Sequence, residues 1–194
     1  MLERYNINHL LQSKKGFTII EFIIGFSILS IVLAGIFSIL TYTTKASTQG
    51  QDMDELLLNG RFGIEYIKEE LKNADMLISS DNILNLNSLY PENIGFVIFK
   101  DSGLVNSDTR YNFATYYSKD NKLIRVAINR KFPIYPEGKN FSGFNEVCEG
   151  VLSIANTRVE VENKLIYLDI SMGFEEDLFH SFKSCLFLEK DFDF

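Results

Sequence analysis

The sequence predicts an α+β fold in which one long N-terminal helix packs on an antiparallel β-sheet. Three observations predict it. From Phe17 to Leu40 the chain is apolar with Glu21 as its only ionisable side chain; apolar residues then recur at helical spacing as far as Ala74; beyond Ser79 they alternate with polar ones. The 194 residues leave room for one ordinary domain and an appendage. An apolar share of 46% is enough for a core and excludes a disordered chain.

The formal charge is −7 and the pI about 4.9. That balance disfavours nucleic acid or an anionic membrane surface as a partner of the whole chain, because both require surplus Lys and Arg. The titratable inventory is thin: His9 and His180, Cys148 and Cys185. It argues against a His-based catalytic centre or a Cys/His zinc site. No phosphate loop or dinucleotide fingerprint is present. The expectation is a chain that is not an enzyme, with no cofactor and no metal.

Residues 1–16 are polar and end in Lys14-Lys15-Gly16. Residues 17–40 follow as a helix that at ~1.5 Å per residue would extend roughly 36 Å, against a hydrocarbon core of ~30 Å. Basic residues beside an apolar span stay cytoplasmic, which places the rest of the chain outside the cytoplasmic membrane as a single-pass protein. A signal peptide fits poorly, since the run exceeds an h-region and lacks a clean small-x-small cleavage site. A plain signal anchor leaves Glu21 unexplained, because a carboxylate inside a span costs ~2.5–3.5 kcal/mol on insertion scales.

Lys14-Lys15-Gly16-Phe17-Thr18-Ile19-Ile20-Glu21 resembles the processing motif of type IV prepilins and type II secretion pseudopilins. The resemblance implies a leader, 1–16, removed by a prepilin peptidase that cuts after Gly16 and methylates Phe17. It also implies an assembly role for Glu21 at the fifth mature position. The segment 17–40 has no proline to bend it, leaving only Gly25 and Gly35 to soften it.

Residues 41–80 are expected to continue the helix in amphipathic form. Leu56, Gly60, Gly63, Ile64, Ile67, Leu71 and Ala74 make an apolar stripe, and Glu65, Lys68, Glu69 and Lys72 lie opposite. Gly60 and Gly63 cost ~1 kcal/mol each relative to Ala, which implies close approach of another backbone. The stretch from Asn59-Gly60-Arg61-Phe62 to Ala74 resembles PilW-type minor pilins and, more loosely, J-type minor pseudopilins. Arg61 is expected to pack or form an ion pair.

Residues 81–194 are expected to be a β-rich domain outside the membrane. Alternation marks Ile94/Phe96/Ile98, Tyr111/Phe113/Thr115/Tyr117, Ile124/Val126/Ile128, Val159/Val161 and Ile166/Leu168/Ile170/Met172. Asp120-Asn121 and Glu162-Asn163 suit hairpin tips, and Tyr116–Arg125 is similar to a hairpin of PilW-type proteins. Regions 81–93, 100–110 and 131–150 read as loops. With one polar sheet face, the other should bury against the helix stripe, giving a roll on a helical stalk; the pilin resemblance implies the same roll.

Asp101, Asn106 and Asp108 miss the EF-hand spacing and read as a solvated loop. Glu175-Glu176-Asp177, Asp191 and Asp193 read as solvated surface. Cys148 and Cys185, both in the outward-facing domain, make a disulfide plausible, worth ~4 kcal/mol in the chain-entropy model; the alternative is two buried free thiols.

Taken with the resemblance, these features point to a minor pilin of a type IV pilus, incorporated through its N-terminal helix. Implied partners are the prepilin peptidase, other pilins, the inner-membrane assembly machinery and, before assembly, the lipid bilayer. Alternatives are a minor pseudopilin of a secretion or DNA-uptake system and a membrane-tethered adhesin. Loss of the leader removes Glu3, Arg4, Lys14 and Lys15, a net loss of two positive charges, so −7 falls further and direct nucleic-acid binding is not expected.

Overall fold

A computed structural model of the chain describes residues 16–104, 107–175 and 178–194. The chain divides into two compact units, Met1–Gln49 and Gly50–Phe194, and helix α1 (Ile19–Lys72) belongs to both.

In the first unit every described residue is exposed, including Ile20, Phe22, Phe26, Ile31 and Phe37. A helix apolar all round needs lipid or other helices to cover it, and this one is long and apolar enough to cross a membrane. The serine hydroxyls of its apolar stretch are satisfied within the helix. Ser27, Ser30 and Ser38 donate to the carbonyls of Ile23, Phe26 and Ala34 at 2.8, 2.8 and 2.9 Å, so they carry no unpaired donor into hydrocarbon.

The second unit is α+β. The C-terminal part of α1 is followed by β1 (Met76–Ser79), the short helix α2 (Leu86–Leu89), β2 (Phe96–Asp101), β3 (Tyr111–Lys119), β4 (Lys122–Arg130), β5 (Gly143–Glu149) and β6 (Val151–Ser153). Then come β7 (Arg158–Glu160), β8 (Leu165–Glu175), β9 (Leu178–Phe187) and β10 (Asp191–Asp193). One sheet runs β10-β1-β2-β3-β4-β5, antiparallel throughout except for β10 on β1. In the other, β8 pairs with β9 along one side and with β6 and β7 along the other.

The helix expected to reach residue 80 stops at Lys72. Asn73 turns its amide onto the carbonyl of Glu69 at 2.8 Å, and the N–H of Asp75 is taken by Phe99 at 2.9 Å, which draws the chain into β1. The stripe itself holds: Leu56, Gly60, Gly63, Ile64, Ile67 and Leu71 are the buried residues of α1. Its glycines face side chains rather than the expected backbone. A Cβ at Gly60 would lie 2.2 Å from the ring of Phe182, and one at Gly63 would lie 2.9 Å from Cys148 Sγ.

The six-stranded sheet is buried on both faces, which corrects the expectation of one polar face. Against α1 it presents Phe96, Ile98, Tyr116 and Leu123, joined there by Ile166, Leu168, Ile170 and Met172 of β8. Its far face carries Val97, Phe113, Tyr117 and Val126, covered by Ile83, Leu86, Tyr90 and Phe141 from the segments expected to be loops. The alternating sets read on β3 and β4 therefore face away from the helix, while that of β8 faces it. Strand β5 lies inside a region expected to be loop; as an edge strand with mostly exposed residues it needs little apolar sequence.

At the β3–β4 turn Asp120 and Asn121 adopt φ of 51° and 59°, the left-handed geometry expected of them. Between β7 and β8 the left-handed residue is Lys164 (φ 53°) rather than Asn163. The Lys164 N–H closes that turn onto the carbonyl of Val161 at 3.2 Å.

Candidate functional site

Gly16, Phe17 and Thr18 precede α1 with no regular structure and are exposed, Phe17 at 88%. The Gly16–Phe17 amide thus lies outside the helix and is exposed. Lys14 and Lys15 lie outside the described residues, as does the rest of the leader expected at 1–16.

Thr18 and Glu21 form a reciprocal cap. The Glu21 N–H donates to Thr18 Oγ1 at 3.3 Å, and the Thr18 N–H and hydroxyl both donate to Glu21 Oε2 at 2.9 Å. Thr-x-x-Glu is the capping-box pattern, in which two orphan donors of a helix start are satisfied at once. Thr18 was not singled out in the sequence, where the Thr-x-x-Glu spacing to Glu21 was the available signal. The box holds the carboxylate at the N-terminal end of the apolar helix, beside Phe22, whose ring stacks on Phe26 with centroids 6.3 Å apart. Chemically this end offers an exposed amide before the helix and one carboxylate able to accept from a cationic donor.

In the second unit the main polar centre is one that the sequence reading did not single out. Glu70 of α1 accepts from Arg125 of β4 and from the hydroxyl of Tyr116 of β3. Burial and the Glu70 charge push the Tyr116 hydroxyl far above its ordinary range. For Arg125, burial pulls downward but the Glu70 bond outweighs it, leaving the guanidinium firmly charged. The available signal was an acidic residue beside Ile67 and Leu71 of the apolar stripe.

The expected Cys148–Cys185 bridge is corrected: both are free thiols, Cys148 buried and Cys185 exposed. The reason is strand parity. Cys148 points into the core beside Gly63, whereas on β9 Leu186 points inward and its neighbour Cys185 outward. Burial, then the nearby Glu146, pushes the Cys148 thiol up to about 12.

Arg61 is exposed and has no ion pair among the described residues. Asp101 is taken by Arg110, whose Nε and Nη2 donate to it at 3.0 Å each, holding its carboxyl below the usual range. Asn106, Glu176 and Asp177 lie outside the described residues. Asp191 and Asp193 belong to β10, where Asp193 accepts from the Tyr135 hydroxyl. Among the described residues no cluster of His, Cys, Asp and Glu could hold a metal ion.

Residues 11–37 match the family model described as the prokaryotic N-terminal methylation motif. The chain therefore carries a type IV prepilin-like N-terminal segment, with Gly16, Phe17 and Glu21 inside the match. No curated protein and no solved structure matches the chain.

Proposed function

We propose that this chain is a minor pilin, a low-copy structural subunit of a type IV pilus. A prepilin peptidase hydrolyses the Gly16–Phe17 amide, leaving a carboxylate on Gly16 and an ammonium on Phe17. Methylation of that nitrogen leaves it charged. The helix from Ile19 holds the subunit in the cytoplasmic membrane with its C-terminal unit outside. Packing against the helices of other pilins, driven by the inner-membrane machinery, then carries it into the filament and to the cell surface.

The observation that carries this reading is the placing of Gly16, Phe17 and Glu21 at the head of an apolar helix, within residues that match the methylation motif. The Asn59-Gly60-Arg61-Phe62 opening of the amphipathic stretch supports the minor-pilin assignment through its likeness to PilW-type proteins. After cleavage Glu21 gains a role that capping does not fill. A lone carboxylate and a new ammonium are both costly in lipid, and pairing them, within or between subunits, compensates both.

The test is mass spectrometry of the N-terminal peptide from sheared filaments of the native host, which should begin at N-methylated Phe17. An intact Met1 terminus in assembled material ends the pilin reading. A processed chain confined to the membrane fraction of piliated cells favours a pseudopilin instead.

A further inference from the structure

Beside the C-terminal end of α1 lies an open cleft of about 420 Å³, with Tyr66 and Glu69 on one wall and Lys100, Ser102 and Asn112 on the other. Its volume falls in the ~300–1,000 Å³ range of small-molecule sites. The Glu70–Arg125 pair is part of its lining, and both groups are spent on each other. The Tyr66 ring lies 6.3 Å from that of Tyr116 at 81° and 5.8 Å from that of Phe62, so its plane is set by packed neighbours while the residue stays 36% exposed.

Several polar groups of this cleft are uncommitted among the described residues. Glu69 gives one oxygen to Asn73 at 3.2 Å and keeps the other. The Lys100 ammonium, the Ser102 hydroxyl and the Tyr66 hydroxyl make no hydrogen bond there. Glu69 and Lys100 line the cleft without pairing, so an ion of either sign meets one like charge. A ligand that is neutral, and that donates and accepts in the same small volume, satisfies both walls. A sugar hydroxyl does this, and the apolar C–H face of a pyranose matches an aromatic ring held in a fixed plane.

We propose that this cleft binds a pyranose unit of a neutral oligosaccharide, with Tyr66 as the stacking platform and Glu69 and Lys100 as hydroxyl partners. The site is pre-organised, since the Glu70–Arg125–Tyr116 cluster fixes its floor before any ligand arrives. The inference does not depend on which filament the chain serves.

The test is isothermal titration of the full chain in phosphatidylcholine nanodiscs, free of sugar detergents, with chitotetraose, cellotetraose, maltotetraose and glycylglycine. At least one tetrasaccharide should bind saturably. Its affinity should fall by about tenfold or more, 1.4 kcal/mol or greater, in Tyr66→Ala and in Glu69→Gln. Tyr66→Phe, which keeps the ring, should lose less, and Arg158→Ala on the other sheet should bind normally. Glu69 is exposed, so Glu69→Gln keeps the test valid if Tyr66→Ala unfolds. Three outcomes overturn the proposal: no saturable binding of any tetrasaccharide, binding of glycylglycine alone, or undiminished affinity in Glu69→Gln.

Discussion

Glu70 and Arg125 stand 55 positions apart and meet through Arg125 Nε, which donates to Oε1 at 2.9 Å and to Oε2 at 3.0 Å. Nη2 of the same guanidinium also donates to Oε1. Their side chains are 21% and 14% exposed, so the pair fastens the end of α1 to β4, the strand next to the β5 edge, with little water around it.

Removing one partner of this pair should cost far more than removing both. Glu70→Gln leaves a charged, half-buried guanidinium, an expected loss of about 3 kcal/mol. The double variant Glu70→Met/Arg125→Met should lose clearly less than Glu70→Gln alone. Urea unfolding followed by tyrosine fluorescence, suitable because the chain has no Trp, reads the difference. Strict additivity would mean that the two groups are independent.

Gly60→Ala should destabilise the second unit although alanine is the better helix former. The propensity gain is ~1 kcal/mol. Against it stands a Cβ that would sit 2.2 Å from the Phe182 ring, and overpacking of that kind costs ~1–3 kcal/mol. Adding Phe182→Leu should recover stability. Gly25→Ala, where a Cβ meets nothing within 4 Å, serves as the unstrained comparison. A Gly60→Ala chain as stable as wild type would show that the ring yields freely.

The two thiols should differ in reach and in titration. Native protein treated with an alkylating agent near neutral pH should be modified at Cys185 and not at Cys148, and denaturation without reductant should open both. The Cys148 thiol is raised from 9.0 to about 12 by burial, so the unfolded chain loses its proton first. Stability from this group is complete below pH 9 and lost as pH rises towards 12. Tyr135, raised from 10.0 to about 12 by burial and then by its bond to Asp193, acts in the same direction. Alkaline melting curves of Cys148→Ala should therefore fall less steeply than those of wild type.

Glu21→Ala should separate processing from assembly. On the proposed function, cleavage after Gly16 and membrane retention rest on the apolar helix, which the substitution leaves apolar. Folding of the second unit does not involve residue 21. The variant should accordingly be cut, held and folded, yet missing from sheared filaments, because the Phe17 ammonium has lost its carboxylate. Immunoblots of membrane and filament fractions read this, and normal recovery in filaments would sink the pairing role.

The sequence by itself determined the helix, its apolar first part, the buried stripe from Leu56 to Leu71 and the strands of the β3–β4 hairpin. Each is written in neighbouring residues: a hydrophobic run, a 3.6 period, a 2.0 period, an Asp-Asn turn. The Thr18–Glu21 cap was missed, although both partners lie in one helical turn, because its Thr-x-x-Glu spacing falls inside the processing motif and was read only as part of that. What only the tertiary structure decided is which neighbour each face meets. Period 2 puts Phe113 and Tyr117 on one side of β3, but nothing local says whether α1 or the Leu86–Tyr90 segment covers that side. Parity likewise separates Cys148 from Cys185, and the partner of Glu70 lies on another element altogether. Such pairings are fixed by chain-distant packing, where many side chains compete for one core, and no short window of sequence records which of them wins.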